Sequence, residues 1–272
     1  MKVLYFDVER GYQTLGSKQS IKTMFQYPVL SPSSWNEFQS MIAKIYEVKK
    51  EEIKLDVGGL EFSETVEKVT PKNNLRVDAV VIDTFSELSK KYQRSLVNKN
   101  TGVMKLQEWG KLKNKLDTCL EFISRIPGVV ICTCHSKLQT MDDGGSKIVP
   151  YVDGSTKEDI SKWFDFVFYT TTVTKGNKRA YKWVTNRTEK YDHAKDRTDL
   201  LDEVMDQDYQ AVIKAAQTKG FENCRILIIG SPGSGKTWSL KTLVKSNSSA
   251  PTERPNVATD SYQESNGVTP VN

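Results

Sequence analysis

The most constraining feature of the chain lies near its end, where an apolar segment runs into a glycine-rich turn. Residues 225–229 read Arg-Ile-Leu-Ile-Ile, and Gly-Ser-Pro-Gly-Ser-Gly-Lys-Thr follows at 230–237. The glycines let the backbone curl with its N–H groups pointing inward, and a helix starting near Lys236 adds the positive end of its dipole. This pattern predicts a triphosphate cradle, with Lys236 on the β- and γ-phosphates and Thr237 on Mg²⁺. The predicted nucleotide-binding residues are Gly230, Ser231, Pro232, Gly233, Ser234, Gly235, Lys236, Thr237 and Trp238.

The composition is typical of a globular chain with a substantial core. Apolar residues make up 38% and charged residues 27% of the 272 positions. No apolar run approaches the length that crosses a bilayer, and acids at 7 and 9 would interrupt a signal peptide, so we expect neither membrane contact nor secretion. Four cysteines without a dense framework favour a reducing cytoplasm. Cys132 and Cys134 fit a metal site less well than a buried strand.

Four apolar runs indicate buried parallel strands, at 2–7, 79–83, 129–134 and 225–229. Helical stripes lie between them, and two β-rich arms at 166–174 and 179–185 flank a turn that contains Gly-Asn. The sequence therefore predicts an α/β fold: a mostly parallel sheet, helices on both faces and an antiparallel hairpin extension. Residues 51–71 fit either a hairpin or a short helix.

The domain organisation follows from where the polar composition begins. After residue 245 the chain turns to Ser, Asn, Pro and Thr, so 246–272 is predicted to be a disordered tail. We expect residues 1–245 to form one domain, with 225–245 completing the sheet that starts at 2–7.

Two acids are placed to complete a phosphate site. Asp83 ends an apolar strand, where ligands of α/β sheets bind, and is predicted to hold the metal with Thr237. Glu9 lies just beyond the strand at 2–7 and is the predicted group that orients or deprotonates the attacking water. The alternative for Glu9 is an ordinary surface carboxylate.

Taken together, these residues resemble the RecA-like P-loop ATPases. The family's D-x-E motif is matched by Asp7-Val8-Glu9, and the acid followed by Ser or Thr is matched by Asp83-Thr84. His135 occupies the place of a polar γ-phosphate sensor, although a histidine at a strand end is also often structural. The resemblance is strongest to phage-encoded RecA/AAA-type proteins, including single-strand annealing recombinases. It implies ATP and Mg²⁺ as cofactors and, for a phage protein, the host cytoplasm.

The same resemblance suggests a role for Lys195 and Arg197. Their K-x-R spacing puts both side chains on one side of an extended segment. RecA-like rings and filaments place such a pair against the neighbouring subunit's γ-phosphate, which implies a homo-oligomer with ATP at subunit interfaces. A solvated basic turn is the alternative.

The motif order departs from the family. In the family, the motifs follow one another along the chain in the order P-loop, glutamate strand, acid strand, sensor and hairpin. In this chain the P-loop comes last. A circular permutation, with the cut after the P-loop helix, restores the family order. A truncated second domain and an artefact of gene assignment are the alternatives.

Basic residues also suggest a nucleic-acid surface. They are interleaved with Tyr92 and Trp109, as expected of a groove that binds single-stranded DNA, and residues 138–157 are a second candidate loop. An ordinary lysine-rich helix face explains them equally well. The residues concerned are Lys90, Lys91, Arg94, Lys99, Lys105, Lys111, Lys113 and Lys115.

The leading functional hypothesis is an ATPase that acts on single-stranded DNA in phage recombination or replication. One alternative is a motor of the helicase or packaging type. Another is a nucleotide-gated loader or assembly protein, in which ATP only switches the oligomeric state.

Overall fold

The computed structural model describes residues 1–98, 100–142, 144–175 and 178–244. Lys99 and the predicted tail at 246–272 lie outside these residues. The strands are β1 (Val3–Asp7), β2 (Tyr46–Val57), β3 (Leu60–Pro71), β4 (Ala79–Asp83), β5 (Val129–Thr140), β6 (Ser146–Pro150), β7 (Phe166–Lys175), β8 (Lys178–Val184), β9 (Lys195–Asp196), β10 (Val204–Asp206) and β11 (Cys224–Gly230). The helices are α1 (Lys18–Phe25), α2 (Trp35–Ile45), α3 (Phe85–Leu96), α4 (Leu106–Arg125), α5 (Thr156–Asp159), α6 (Tyr209–Thr218) and α7 (Lys236–Ser239).

A nine-stranded mixed sheet forms the centre of the molecule. Its core is parallel, in the order β1-β4-β5-β11-β7. Beyond β7 the sheet continues antiparallel through β8 and β10, while β6 pairs with the end of β5 and β9 with the start of β7. The predicted mixed α/β fold with a mostly parallel sheet is confirmed. The last strand of the chain, β11, lies in the middle of this sheet.

Helices cover both faces of the sheet because its central strands are apolar on both sides. Phe6 and Ile82 face a core closed by α2, α3 and α4. Tyr5 and Ile131 face the opposite core, closed by α1, α6 and the segment after β11. Every residue of β1, β4 and β11 is buried. Within the described residues no helix is long and apolar enough to cross a membrane.

In two segments the structure decides or corrects a sequence-based expectation. Helix α2 ends at Ile45, and Tyr46 begins the long antiparallel hairpin of β2 and β3. Both turn glycines, Gly58 and Gly59, have positive φ, 64° and 86°, as a tight two-residue hairpin turn requires. Of the two alternatives for 51–71, the hairpin is correct. The predicted loop at 138–157 is also largely ordered, since β5 and β6 pair as a second hairpin.

Candidate functional site

The turn after β11 requires glycine at particular positions. Gly233 and Gly235 have φ of 76° and 92°, which only glycine adopts without strain. A Cβ at Gly230 would lie 1.8 Å from the Thr170 hydroxyl oxygen, and one at Gly235 would lie 2.6 Å from an oxygen of Gln207. The loop therefore packs its backbone closely against β7 and against the residue after β10.

Lys236 lies inside this turn rather than on its surface. It is 5% exposed, and its Nζ donates to the carbonyl oxygens of Gly230 at 2.8 Å and Ser231 at 2.9 Å. Helix α7, which Lys236 begins, has four residues and is followed by a 3-10 turn at Leu240–Leu243. Trp238 is half-buried beside Lys241, whose Nζ lies 3.3 Å from the ring centroid.

The two ends of the chain meet at Asp83. Thr237 Oγ1 donates to Asp83 Oδ2 at 2.7 Å, although the two residues are 154 positions apart. The Tyr5 hydroxyl donates to the same oxygen at 3.1 Å, and the Thr133 hydroxyl donates to Oδ1. Three hydroxyls, from β1, β5 and α7, therefore hold one buried carboxylate at the end of β4.

Glu9 forms a second polar cluster beside the first. Its Oε1 accepts from Thr84 Oγ1 at 2.6 Å and lies 2.5 Å from His135 Nε2. Burial alone would raise the pKa of Glu9, but the hydrogen bonds of His135 and Thr84 and the charges of His135 and Lys236 outweigh it, so the pKa is lowered. Glu9 is therefore ionised near neutral pH, the state that a proton-accepting group needs.

The backbone N–H of His135 donates to Ser86 Oγ at 2.8 Å, which fixes the end of the buried part of β5. His135 Nδ1 is buried and has no hydrogen-bond partner among the described residues. Among the described residues, the hydrogen bonding of the ring is therefore confined to Nε2, which lies against Glu9.

Asp7 is a site residue that we did not select from the sequence, although it opens the D-x-E motif. It lies opposite Asp83 in the β1–β4 register, and its carboxylate accepts from the backbone N–H groups of Gly11 and Tyr12 at 2.9 and 3.0 Å. Burial raises its pKa to about 6 despite these bonds, and the charge of Asp83 adds to the rise. An acidic pair therefore lies next to Thr237. Thr133, hidden between two cysteines, left no comparable signal in the sequence.

The site fits a magnesium–nucleotide complex. Ser234 Oγ and Thr170 Oγ1 are buried beside Gly230 and have no hydrogen-bond partner among the described residues. Buried hydroxyls normally have partners, so their presence in a glycine-lined cradle is consistent with a ligand that supplies them. Thr237 and Asp83 are the oxygen donors that would hold Mg²⁺, a hard cation bound by few protein ligands.

Lys195 and Arg197 do not join this site within the chain. Lys195 pairs with Val167 at the start of β7, whereas the glycine turn follows the other end of the neighbouring strand. Lys195 Nζ donates to Ser161 O at 2.8 Å, and burial lowers its pKa. Arg197 Nη1 donates to Asp165 Oδ1 at 2.8 Å and remains largely exposed.

The basic residues of α3 and α4 are in large part engaged by their own chain. Arg94 pairs with Glu87, and Lys111 with Glu108, each at 2.9 Å. Lys113 bridges two acids, Asp117 and Asp159. Tyr92 packs on Trp35, with 5.0 Å between ring centroids, whereas Trp109 is 39% exposed. Lys90 lies 4.2 Å from the ring centroid of Tyr151.

The cysteines at 132 and 134 are both fully buried within β5, and burial raises the pKa of each thiol. Among the described residues there is no group of three or more His, Cys, Asp or Glu side chains that would hold a metal ion. The two cysteines pack as strand residues of the core.

A comparison with known families decides the wider class. A family model described as an AAA domain matches residues 1–198, about three-quarters of the chain. The chain belongs to this AAA domain family. No curated protein and no solved structure matches the chain. The matched span contains Glu9, Asp83, His135, Lys195 and Arg197 and ends before the glycine turn at 230–237.

Membership identifies an AAA-type P-loop ATPase domain, a class that generally uses ATP and Mg²⁺. The family match and the glycine turn come from separate parts of the chain. In space they form one site, since Thr237 of the turn contacts Asp83 of the matched span. The glycine turn that contacts the acid of this AAA domain therefore comes from beyond residue 198.

Proposed function

We propose that the chain binds Mg·ATP in the cradle after β11 and hydrolyses it, and that it acts on single-stranded DNA as a homo-oligomer. The observation that carries the ATPase part is the hydrogen bond between Thr237 and Asp83. It joins the phosphate-binding turn to the acid strand, and Glu9 and His135 lie beside that strand's end.

Each residue of the site has a separate proposed role, which follows from its chemistry. Lys236 would exchange the carbonyls of Gly230 and Ser231 for phosphate oxygens, since an ammonium group bonds charged oxygens more strongly than neutral ones. Glu9, ionised and fixed by Thr84, would orient the attacking water and accept its proton. His135, on the other side of Glu9, would sense the γ-phosphate. Bound Mg²⁺ would neutralise the charge that develops on the phosphates.

We propose a circular permutation for the motif order. Two observations support it: the P-loop strand lies between β5 and β7, and Met1 and Val244 line one cavity. Moving 224–244 in front of Met1 through a short linker should therefore give a chain that folds and binds ATP as the natural order does. A rearranged chain that folds but does not bind ATP would contradict the permutation.

For Lys195 and Arg197 we propose a role in the neighbouring subunit's site. Within their own chain they bond Ser161 and Asp165, near the start of β7, whereas the cradle lies against Thr170, and this placement is consistent with action between subunits. Arginine at such a position contributes on the order of 10³–10⁵ to turnover in related phosphoryl-transfer enzymes.

Subunit mixing tests this role directly. The Arg197→Ala and Glu9→Gln variants should each be inactive, and their mixture should regain turnover at interfaces that combine an intact Glu9 with an intact Arg197. A mixture that stays inactive while both variants co-assemble would argue against a shared site.

Single-stranded DNA is proposed as the partner from the motif resemblance and from the exposed Trp109 with the remaining lysines of α3 and α4. A phage recombination or replication role rests on the same resemblance. The test is the ATPase rate at low salt with and without single-stranded DNA, for the wild type, Lys236→Ala and Glu9→Gln.

We expect DNA to stimulate the wild type, Lys236→Ala to lose ATP binding, and Glu9→Gln to bind ATP without turnover. If Glu9→Gln keeps every DNA-dependent function, ATP acts only as a switch. A wild type with neither ATPase nor DNA binding would contradict the proposal.

A further inference from the structure

The β2–β3 hairpin has one strongly apolar face at its tip. Alternate residues of a strand point to opposite faces, and the register sets Leu55 against Phe62 and Val57 against Leu60 on the same face. Five large apolar side chains share this tip face, and they are 42–65% exposed. They are Ile53, Leu55, Val57, Leu60 and Phe62, here called the tip patch.

The other face of the tip is polar, with Lys50, Glu52, Lys54, Ser63 and Thr65 all exposed. An isolated two-stranded hairpin is at best marginally stable in water, and a contiguous apolar patch of several hundred Å² marks an interaction site on soluble proteins. We therefore expect another surface to cover the tip patch.

A second unpartnered apolar surface lies at the root of the same hairpin. Side chains of α2, α4 and β2 enclose a cavity of about 280 Å³, here called the α2–α4 groove. Its lining includes Phe38, Ile42, Val48, Cys119 and Phe122, with Lys115 at the same site. The Tyr46 hydroxyl, which also lines the groove, is buried and has no hydrogen-bond partner among the described residues.

The patch and the groove complement each other in shape and charge. The patch projects on a narrow hairpin, whereas the groove is concave. The hairpin tip is net acidic, since residues 54–64 contain Asp56, Glu61 and Glu64 against one base, Lys54. Of these acids Glu64, which lies opposite Ile53, shares the face of the patch. Lys115 lines the groove. The negative charge of the tip and the positive charge of Lys115 would attract each other. The apolar side chains of the patch and the groove would then be buried in the contact.

The patch cannot fill the groove of its own chain. Val48 lines the groove, and the strand from Val48 to Val57 places the tip about 30 Å away at 3.3 Å per residue. A second copy supplies both surfaces at once.

We propose that the tip patch of one copy packs into the α2–α4 groove of the next. Such a contact is heterologous, so it repeats head to tail into a ring or filament. The inference rests on the homo-oligomer of the proposed function, but it requires no nucleotide.

The test measures self-association of the full chain by sedimentation velocity over the micromolar range, without nucleotide. Phe62→Asp should break the patch and Thr118→Glu, an exposed groove residue, should break the groove. Each should weaken association roughly a hundredfold. Thr65→Asp, on the polar face of the same hairpin, is the matched control and should change nothing. Thermal unfolding of every variant checks that the fold is kept.

Mixing the two variants is decisive. Phe62→Asp keeps an intact groove and Thr118→Glu an intact patch, so the mixture should form dimers and stop there. A wild type that stays monomeric overturns the proposal. It is also overturned if Thr118→Glu assembles normally, which indicates a patch-to-patch contact, or if the mixture fails to dimerise. Lys236→Ala should assemble like the wild type, so loss of ATP binding leaves this test unaffected.

Discussion

The two ends of the central sheet both carry buried charge, yet they differ in how completely that charge is satisfied. At the amino ends, Arg225 is 5% exposed, and its guanidinium donates to the carbonyl oxygens of Ser124, in the last turn of α4, and of Ile126 and Gly128 just after it. Its backbone N–H donates to Asp165, which also accepts from Arg197. The three nitrogens of the Arg225 guanidinium and the Asp165 carboxylate therefore all have partners, so this charged group stabilises the fold.

The carboxyl ends of the same strands look different. Asp7 has a raised pKa beside Asp83, and the hydroxyls of Ser234 and Thr170 and the Nδ1 of His135 are buried without partners in the described part of the chain. A buried polar group without a hydrogen-bond partner lowers the stability of the fold. Such groups are typical of sites where a bound ligand supplies the missing partner. The contrast separates a structural end from a functional end of one sheet.

The largest effect should come from Lys236→Ala at the functional end. Removing the buried ammonium should weaken Mg·ATP binding roughly a hundredfold or more, because charge-assisted bonds to phosphate are lost. Isothermal titration with a non-hydrolysable ATP analogue measures it. Comparable affinity in the variant would mean that the glycine turn is not the phosphate site.

Arg225→Met probes the structural end and should lower the stability of the fold rather than its affinity for ATP. Three buried carbonyls lose their donor, so the free energy of unfolding should fall by about 3 kcal/mol, as seen in denaturant titration. ATP affinity of the folded fraction should be unchanged. Weakened ATP binding together with unchanged stability would mean that Arg225 serves the functional site rather than the fold.

Asp7→Asn tests the unsatisfied acid through pH. Because burial raises the pKa of Asp7 to about 6, its stabilising contribution is complete below about pH 4 and is lost as the pH rises through 6. Wild-type stability should therefore fall relative to Asp7→Asn across that window when both are titrated with denaturant. Parallel pH profiles would show that Asp7 is not perturbed.

The smallest expected effect is that of Ser234→Ala. Its hydroxyl bonds nothing in the described residues, so unfolding should change by less than about 0.5 kcal/mol, while ATP binding weakens several-fold. Ser239→Ala is the matched control, since the Ser239 hydroxyl donates to Lys236 O at 2.6 Å and its loss should cost about 1 kcal/mol. Equal costs for the two would remove the distinction between satisfied and orphaned hydroxyls.

The parallel core could be predicted because its strands are continuous apolar runs, and the glycine turn because its backbone needs glycine. The β2–β3 hairpin remained ambiguous because its alternation is masked by charged residues on both faces near the root, such as Glu51 on one face and Lys50 on the other. Thr133 and Tyr5 could not be selected, since their role depends on β1, β4 and β5 lying side by side. The placement of Lys195 likewise depends on the path of the chain after β8, which no local pattern specifies.

The central claim is that the last strand and the first strands build one Mg·ATP pocket, and a double-mutant cycle on turnover tests it most directly. Asp83→Asn and Thr237→Ala, alone and together, are compared by their rates of ATP hydrolysis with Mg²⁺. We predict that the double variant is no slower than the slower single variant, because both residues hold the same metal. Losses that simply multiply would contradict a shared site.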